Sequence, residues 1–254
     1  MIHSTAIIEK GAKIGQNVTI GPNVFISKHA VIEDNCTIMQ GAIIDGKTRI
    51  GEGTRVFYNA VVGSIPQDLK FSGEDVELVI GRNNTVREFC LINPGTAHGG
   101  GKTIIGDNNL LMGYVHVAHD CKIGNNCILA NAATLAGHVE LGNNVVIGGM
   151  TPIHQFVKIG DFAMIGGASA VSQDIPPYTL AEGNRAKLRG LNLVGLRRNF
   201  GNEVVDEIKQ AFKKLFKSGE SPKEVAKELI NSPSQYVRNL AQFVLESKRG
   251  IPYR

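Results

Sequence analysis

The chain has 254 residues, of which 43% are hydrophobic and 20% are charged, with 30 glycines and no tryptophan. This composition supports a buried core and excludes a disordered chain. No apolar run approaches the roughly 18 residues of a membrane span, and residues 1–5 lack the basic and apolar regions that begin a secretory signal. We therefore expect a cytoplasmic protein without a transmembrane segment.

The net charge of +4 is unevenly distributed along the chain. Residues 1–184 carry 12 lysines and arginines against 16 acidic residues, whereas residues 185–254 carry 15 against 7. We expect this basic tail to attract a phosphorylated ligand or an acidic protein. Nucleic acid is a poor candidate, because the tail has few aromatic residues and no recognisable reading motif.

Aliphatic residues recur every six positions through two thirds of the chain. One series runs unbroken from Ile8 to Val62, and another runs from Ile105 to Val171. Six residues do not return to one face of a helix, but an even spacing keeps them on one face of a strand. A straight strand over residues 8–62 would be about 180 Å long, so the chain must fold back and stack. The pattern predicts a β-helix.

This pattern resembles the left-handed parallel β-helix of hexapeptide acyltransferases, in which three successive repeats make one triangular coil. Residues 63–79 keep the phase of the repeat without its aliphatic side chains, and residues 93–104 shift the phase by one position. Both segments are expected to project as loops, and loops on a rigid scaffold often carry function.

The period changes to a helical one after the two prolines at 176 and 177, and helix start signals recur at 221–224 and 232–235. We predict three or four helices within residues 187–249. The expected architecture is mainly β, with a β-helix domain at 1–185 and an α-helical domain at 186–254.

The four cysteines each stand two positions before a repeat aliphatic, in a slot otherwise filled by alanine, valine and threonine. They are Cys36, Cys90, Cys121 and Cys127. We interpret them as small core residues, with no disulfide framework and no C-x-x-C motif, which suits a reducing compartment.

Five of the seven histidines lie between residues 98 and 154. With three repeats per coil, His119 stacks beneath Gly137, and Asp120 stacks beneath His138. The resulting strip, about 10 Å tall, contains His119, Asp120, Gly137, His138, His154 and Gln155, with His116 one short step away. A single outward histidine is usually solvated, but four together predict a functional site.

Two chemistries could use this strip. An imidazole titrates near neutral pH and can remove a proton from a hydroxyl group, with Asp120 fixing its tautomer. Alternatively, three imidazoles can hold a metal ion, as in the gamma-class carbonic anhydrases, a related β-helix family. The His-x-x-His spacing and the adjacent aspartate do not decide between them.

Longer motifs identify a family. The motifs are Gln67-Asp68-Leu69-Lys70, Asn109-Leu110-Leu111-Met112, His116-Val117-Ala118-His119-Asp120-Cys121, Ile128-Leu129-Ala130-Asn131, Thr134-Leu135-Ala136-Gly137-His138-Val139, His154-Gln155-Phe156 and Gln173-Asp174-Ile175-Pro176-Pro177-Tyr178. Over essentially the whole chain, the sequence with these motifs resembles the acyl-carrier-protein–UDP-N-acetylglucosamine O-acyltransferases.

The resemblance implies transfer of an (R)-3-hydroxyacyl chain from acyl carrier protein to the 3-position of UDP-N-acetylglucosamine, the first step of lipid A synthesis. It implies His119 as the general base, Asp120 as its orienting carboxylate and the Gly137 N–H as the oxyanion donor. Implied substrate contacts are Asp68, Lys70, His116, His138, His154, Gln155, Asn192 and Arg198. Glycine at 167 implies room for a long chain of about 14 carbons.

The same resemblance implies a homotrimer with sites between neighbouring prisms, and tail helices that receive the acidic carrier protein. It implies no metal and no cofactor, since the acyl group arrives on the carrier's phosphopantetheine. Two positions depart from better-known members, Asn93 in place of histidine and Val194 in place of glutamate. Asn93 motivates an alternative acceptor, the 3-amino analogue of the sugar nucleotide.

Two other interpretations fit less well. The acyltransferase that N-acylates later in the same pathway carries an extra N-terminal domain, whereas the repeats here begin by residue 8. A non-catalytic β-helix would favour threonine ladders or plain coils over a histidine strip.

Overall fold

The six-residue period forms short strands that stack in three parallel sheets. The computed structural model describes residues 1–253. Its strands are β1 (Ile7–Ile8), β2 (Lys13–Ile14), β3 (Thr19–Ile20), β4 (Phe25–Ile26), β5 (Val31–Ile32), β6 (Thr37–Ile38), β7 (Ile43–Ile44), β8 (Lys47–Ile50), β9 (Arg55–Val56), β10 (Val61–Val62), β11 (Glu77–Ile80), β12 (Thr85–Val86), β13 (Leu91–Ile92), β14 (Lys102–Ile105), β15 (Leu110–Leu111), β16 (His116–Val117), β17 (Lys122–Ile123), β18 (Ile128–Leu129), β19 (Thr134–Leu135), β20 (Glu140–Leu141), β21 (Val146–Ile147), β22 (Pro152–Ile153), β23 (Lys158–Ile159), β24 (Met164–Ile165), β25 (Thr179–Glu182) and β26 (Lys187–Leu191).

Every third strand pairs, so the coil is a triangle. The first sheet runs β1-β4-β7 up to β22, the second runs β2-β5-β8 up to β23, and the third runs from β3 through β24 to β25 and β26. Ile8 pairs with Ile26, and Ile26 with Ile44, which confirms three repeats per coil. We name each edge of this prism by the two sheets that meet there.

Both interruptions leave the prism at the edge between the first and second sheets. Val62 pairs with Ile92, and Ile92 pairs with Val117. The first of these coils is longer than a regular one by two whole repeats and keeps the phase, whereas the second is longer by one repeat and one further position. The first loop spans residues 63–76 and the second loop spans 93–101. The segments 77–79 and 102–104, expected as loop, belong to the paired strands β11 and β14.

The inward aliphatic positions form the prism core. From Ile20 to Ile165 none of these side chains is more than 5% exposed. The four cysteines lie in the same core and are buried, as predicted. Burial raises the pKa of the Cys90 and Cys121 thiols to about 12, so these groups stay protonated and act as small apolar residues.

The tail contains four helices, α1 (Leu193–Asn199), α2 (Asn202–Lys217), α3 (Pro222–Leu229) and α4 (Gln235–Glu246). Ser221 and Pro222 begin α3 as predicted, whereas α4 begins after Ser234. The helices share a second apolar core with Tyr178. Strand β26 extends the third sheet past the expected boundary at residue 185. Within residues 1–253, no helix is long and apolar enough to cross a membrane.

Candidate active site

The predicted histidine strip lies on the edge from which both loops project. The turn between β16 and β17 carries His119 and Asp120, and the turn one coil above carries Gly137 and His138. The third residue after each inward aliphatic has a positive φ in most of these turns, and asparagine often fills that place. In the site, this place is taken by Asp120 (φ 60°), His138 (φ 63°) and Phe156 (φ 65°). Bulky residues also take this place elsewhere in the prism, at Phe89, Tyr114 and Phe162, so it is a feature of the turn that the site shares.

His119 and Asp120 form a hydrogen-bonded pair. Nδ1 of His119 is 2.8 Å from Oδ2 of Asp120, whose side chain is fully buried. A carboxylate can only accept hydrogen bonds, so Nδ1 carries the imidazole proton and Nε2 keeps its lone pair. The second loop completes the carboxylate's shell, because the backbone N–H and hydroxyl of Thr96 donate to Oδ1 and Oδ2 at 2.9 and 2.7 Å.

Gly137 lies directly over the His119 ring. A Cβ atom at Gly137 would lie 2.6 Å from Cε1 and 2.7 Å from Nε2 of His119, so only glycine fits. Among residues 1–253, the Gly137 N–H has no hydrogen-bond acceptor. Asn125 holds the equivalent turn position at the edge between the second and third sheets. Its N–H, by contrast, donates to Asn143 Oδ1 at 2.9 Å. The residue that carries this open donor, Gly137, packs against Cε1 and Nε2 of the His119 ring.

Two further imidazoles flank the pair. His138 stacks on Phe156, with ring centroids 4.4 Å apart, and its Nε2 lies 3.8 Å from Asp120 Oδ2. Burial lowers the pKa of His138, although the carboxylates of Asp120 and Asp68 oppose this shift. Burial also lowers the pKa of His116, whose Nδ1 is 3.1 Å from the Leu91 carbonyl oxygen. Both rings are therefore neutral at neutral pH.

Comparison with known proteins identifies the family to which the chain is similar. Family models described as "Udp N-acetylglucosamine O-acyltransferase; Domain 2", "Bacterial transferase hexapeptide (six repeats)" and "GMPPB C-terminal domain" match residues 174–252, 102–137 and 1–93. A relative from Aliarcobacter butzleri (strain RM4018), named acyl-[acyl-carrier-protein]–UDP-N-acetylglucosamine O-acyltransferase, is 61% identical over 254 residues, covering 99% of this chain and 98% of the relative. The relative of the same name from Sulfurovum sp. (strain NBC37-1) is 59% identical over 253 residues, covering 99% and 97%.

The chain belongs to the acyl-[acyl-carrier-protein]–UDP-N-acetylglucosamine O-acyltransferase family.

A solved structure of the family agrees with the fold. The UDP-N-acetylglucosamine acyltransferase from Campylobacter jejuni is 55% identical and matches with a TM-score of 0.95 over 99% of both chains. The protein is thus an acyltransferase with a left-handed parallel β-helix and a helical tail, as the sequence predicted.

The other residues expected for the family's substrates lie on the same edge of the prism as the His119–Asp120 pair. Asp68 is in the first loop, and its Oδ1 accepts the Lys70 backbone N–H at 3.0 Å. The side chains of Lys70, His154 and Gln155 are exposed and free to meet a ligand. Beside them lies a cavity of about 470 Å³ that touches Asp120 and His138. Its charged lining is mixed, with Lys122, Lys158, Lys248 and Arg249 beside Asp120, Glu140 and Asp174.

Three of the expected substrate contacts lie away from this edge of the prism. Gly167 is an exposed turn residue between the third and first sheets, directly above Gly149. Asn192 caps α1, and its Nδ2 donates to the Phe162 carbonyl oxygen at the edge between the second and third sheets. Arg198 is exposed in the last turn of α1. One protomer therefore does not bring these three residues to His119.

The two departures from the family pattern have different environments. Asn93 is buried beside the first loop, and its Nδ2 donates to the carbonyl oxygens of Ser64 and Ile65 at 3.0 and 3.2 Å. Its Oδ1 is buried and has no partner in residues 1–253. Val194, by contrast, is 63% exposed on α1. The unpaired amide oxygen was not predictable from the repeat, since it depends on the path of the loop.

The metal interpretation has a partial structural basis. Ligand atoms of His119, Asp120 and His138 lie within 4.8 Å of one another. These are two imidazoles and a carboxylate, and Oδ2 of that carboxylate already accepts from Thr96 and His119. The donor set differs from the three imidazoles expected for a carbonic-anhydrase centre.

Proposed function

We propose that this enzyme transfers a 3-hydroxyacyl chain from acyl carrier protein to the 3-hydroxyl of UDP-N-acetylglucosamine, the first step of lipid A synthesis in the cytoplasm. The observation that carries the proposal is the His119–Asp120 pair beneath the open N–H of Gly137. The relatives' printed names, which include acyl carrier protein and UDP-N-acetylglucosamine, support the choice of donor and acceptor.

In the proposed reaction, Nε2 of His119 removes the proton from the sugar hydroxyl as its oxygen attacks the thioester carbonyl carbon. The Gly137 N–H donates to the resulting oxyanion, a contribution worth roughly 3–4 kcal/mol in comparable enzymes. When the intermediate collapses, the carbon–sulfur bond breaks and the thiolate takes the proton back from His119. Asp120 stabilises the transient imidazolium. This sequence needs no covalent enzyme intermediate, metal or cofactor.

Charge complementarity supports the two substrates. The cavity beside His138 offers lysine and arginine donors that suit the diphosphate of a nucleotide sugar, although Glu140 in the same lining pairs with Lys158. The tail, with its surplus of lysine and arginine, suits an acidic carrier protein. Asp68, Lys70, His116, His138, His154 and Gln155 are proposed to contact the substrates on this edge.

The placement of Gly167, Asn192 and Arg198 on other edges supports a site shared between subunits of a homotrimer. A neighbouring copy could bring these residues to His119, whereas a single protomer does not. The outer face of the first sheet is suited to such packing, because it carries the apolar side chains Phe25, Ile43, Val61 and Leu91. The outer face of the second sheet instead carries charged residues such as Lys122, Glu140 and Lys158.

The function is tested by incubating the purified protein with UDP-N-acetylglucosamine and a ladder of 3-hydroxyacyl carrier proteins, followed by mass spectrometry. We expect a UDP-3-O-acyl product, which mild base cleaves because the linkage is an ester. We expect the longest acyl donors to be favoured. Absence of any acylated nucleotide from trimeric protein, with either acceptor described below, would refute the proposal.

Asn93, which stands where better-known members have a histidine, motivates a second candidate acceptor, the 3-amino analogue of the same sugar nucleotide. Acylation of its amino group would give an amide. Competition between the two acceptors in one incubation decides between them, because the amide survives mild base and the ester does not. A strong preference for the hydroxyl sugar would exclude the second candidate.

Replacing Gly137 by alanine is expected to lower kcat by at least about 100-fold. The added Cβ would overlap the His119 ring and displace the base from beneath the oxyanion donor. Steady-state kinetics on both substrates measure the effect. Gly201→Ala is the control, since a Cβ there meets no atom within 4 Å. A Gly137→Ala enzyme with the activity of the control would contradict the assignment.

Replacing Gly167 by methionine is expected to shift the preferred acyl chain toward shorter donors. Glycine there faces open space, with Gly149 atoms no closer than 3.5 Å to an added Cβ. We expect kcat/KM to fall roughly 10–100-fold for the longest donor and to change little for a short one. The short donor serves as the internal control, and an equal loss on all chain lengths would contradict a chain-length role.

The metal-dependent alternative is separated by elemental analysis together with turnover after chelator treatment. Because the proposed base is the imidazole itself, we expect acyl transfer to be unchanged by removal of divalent metals. Loss of activity on chelation and recovery with zinc or iron would instead favour a metal centre at His119, Asp120 and His138.

A further inference from the structure

The second loop is built around one threonine that contacts the buried carboxylate of the site. Thr96 lies in the second loop, and only 2% of its surface is exposed. Its N–H donates to Asp120 Oδ1 at 2.9 Å, and its Oγ1 lies 2.7 Å from Oδ2. Both oxygens of the carboxylate are therefore engaged by the same residue.

The Thr96 hydroxyl accepts one hydrogen bond and donates another. The Gly99 N–H donates to Thr96 Oγ1 at 3.2 Å, so the hydroxyl acts as acceptor on that side. Its single proton is then directed to Asp120 Oδ2, which can only accept. The same oxygen accepts from Nδ1 of His119 at 2.8 Å. The chain of contacts leads from the loop backbone to the ring whose Nε2 faces Gly137.

Two further contacts close the loop onto Asp120. Gly99 packs so tightly that a Cβ there would lie 1.9 Å from Asp120 Cγ. Thr103 lies in β14, directly after the second loop, and its Oγ1 accepts the Asp120 backbone N–H at 2.8 Å. Asp120 adopts a positive φ of 60°, which these contacts stabilise. The second loop, by which this coil exceeds a regular one, thus fixes the position of one carboxylate.

We infer that Thr96 is a positioning residue for the reaction: its hydroxyl holds Asp120 so that His119 keeps its proton on Nδ1 and presents an unprotonated Nε2. The inference rests on the proposed function, but it concerns a residue that touches no substrate. At metal sites, partners of this kind fix the orientation and the tautomer of a ligating histidine, and their loss costs about 10–100-fold, which sets the scale expected here.

The test compares Thr96→Val, which keeps the shape and loses the hydroxyl, with Thr96→Ser, which keeps the hydroxyl. Thr54→Val is the matched control. Thr54 is fully buried in the prism, donates to the Gly81 carbonyl oxygen and accepts the Asn84 N–H, but lies far from the histidine strip. The readouts are kcat and KM on full-length enzyme, and the side-chain nitrogen-15 chemical shifts of His119, which report its tautomer.

We expect Thr96→Val to lower kcat about 30-fold with KM within about threefold of wild type, and to give mixed-tautomer shifts for His119. Thr96→Ser should restore kcat and the Nδ1–H tautomer, and Thr54→Val should change neither. Unchanged kcat and unchanged shifts in folded Thr96→Val would overturn the inference, as would an equal loss in Thr54→Val. Failure of the proposed function looks different, because wild-type enzyme would then form no acylated nucleotide.

Discussion

Replacing His119 by alanine is expected to lower kcat by roughly 1000-fold while leaving KM nearly unchanged, because general-base catalysis contributes about 10²–10⁴-fold. The imidazole is held by Asp120 and covered by Gly137, and its Nε2 is the basic nitrogen placed beside the open N–H. Substrate contacts on the rest of the strip remain. Steady-state kinetics with acyl carrier protein and nucleotide sugar measure both constants.

His29→Ala is the matched control for this experiment. His29 is exposed on the same edge of the prism, several coils away from the site, and occupies the turn position that His138 occupies above. Its loss should leave kcat unchanged. If His119→Ala kept more than about a tenth of wild-type kcat, another group would have to be the base, and His138 would be the first to examine.

Replacing Asp120 by asparagine is expected to lower kcat by roughly 10²–10⁴-fold, although the side chain has the same shape. The backbone N–H of Thr96 is a fixed donor, so the new amide must turn its oxygen toward it. Its NH₂ group then faces His119, whose Nδ1 is forced to accept. The proton moves to Nε2, and the imidazole can no longer remove a proton from the acceptor.

The control is Asp107→Asn. Asp107 lies in a turn at another edge, where its carboxylate accepts the Arg82 backbone N–H at 2.7 Å. The Asp107 backbone N–H donates in turn to the side-chain oxygen of Asn125. An asparagine there keeps an oxygen for this bond, so kcat should be unchanged. An Asp120→Asn enzyme that retained wild-type kcat, with His119 still protonated on Nδ1, would contradict the assigned orientation role.

Much of the fold was readable from the sequence because one simple pattern determines it. An aliphatic residue every sixth position buries one side chain per strand, and the register of Ile8 with Ile26 follows from three repeats per coil. The same arithmetic places His119 beneath Gly137, which the close approach of the two residues bears out. The repeat predicts well which residues stack in successive coils, because each regular coil contains the same number of residues.

The parts that periodicity missed lie where the repeat stops. Thr96 reaches Asp120 through an irregular loop, so no spacing in the sequence reveals the contact. The unpaired oxygen of Asn93 depends on the path of the first loop in the same way. Strand β26 pairs antiparallel at the end of the third sheet, outside the repeat, so the six-residue period does not predict it.

The proposed function depends most on one feature of the proposed trimer, a site formed by residues that lie on separate parts of each protomer. His119 and Arg198 lie on separate parts of one protomer, and each is proposed to act on the same nucleotide sugar. If the site is shared, His119 of one subunit works with Arg198 of a neighbour. The two residues can then be damaged in different subunits without destroying every site.

The direct test is to co-express His119→Ala and Arg198→Ala chains with different tags and to assay the doubly tagged trimers. In a ring of three head-to-tail interfaces, any mixed trimer retains one intact site, so we predict about one third of wild-type activity from two inactive parents. If each site belonged to a single protomer, no site in a mixed trimer would be intact. Mixed trimers as inactive as their parents would contradict the account.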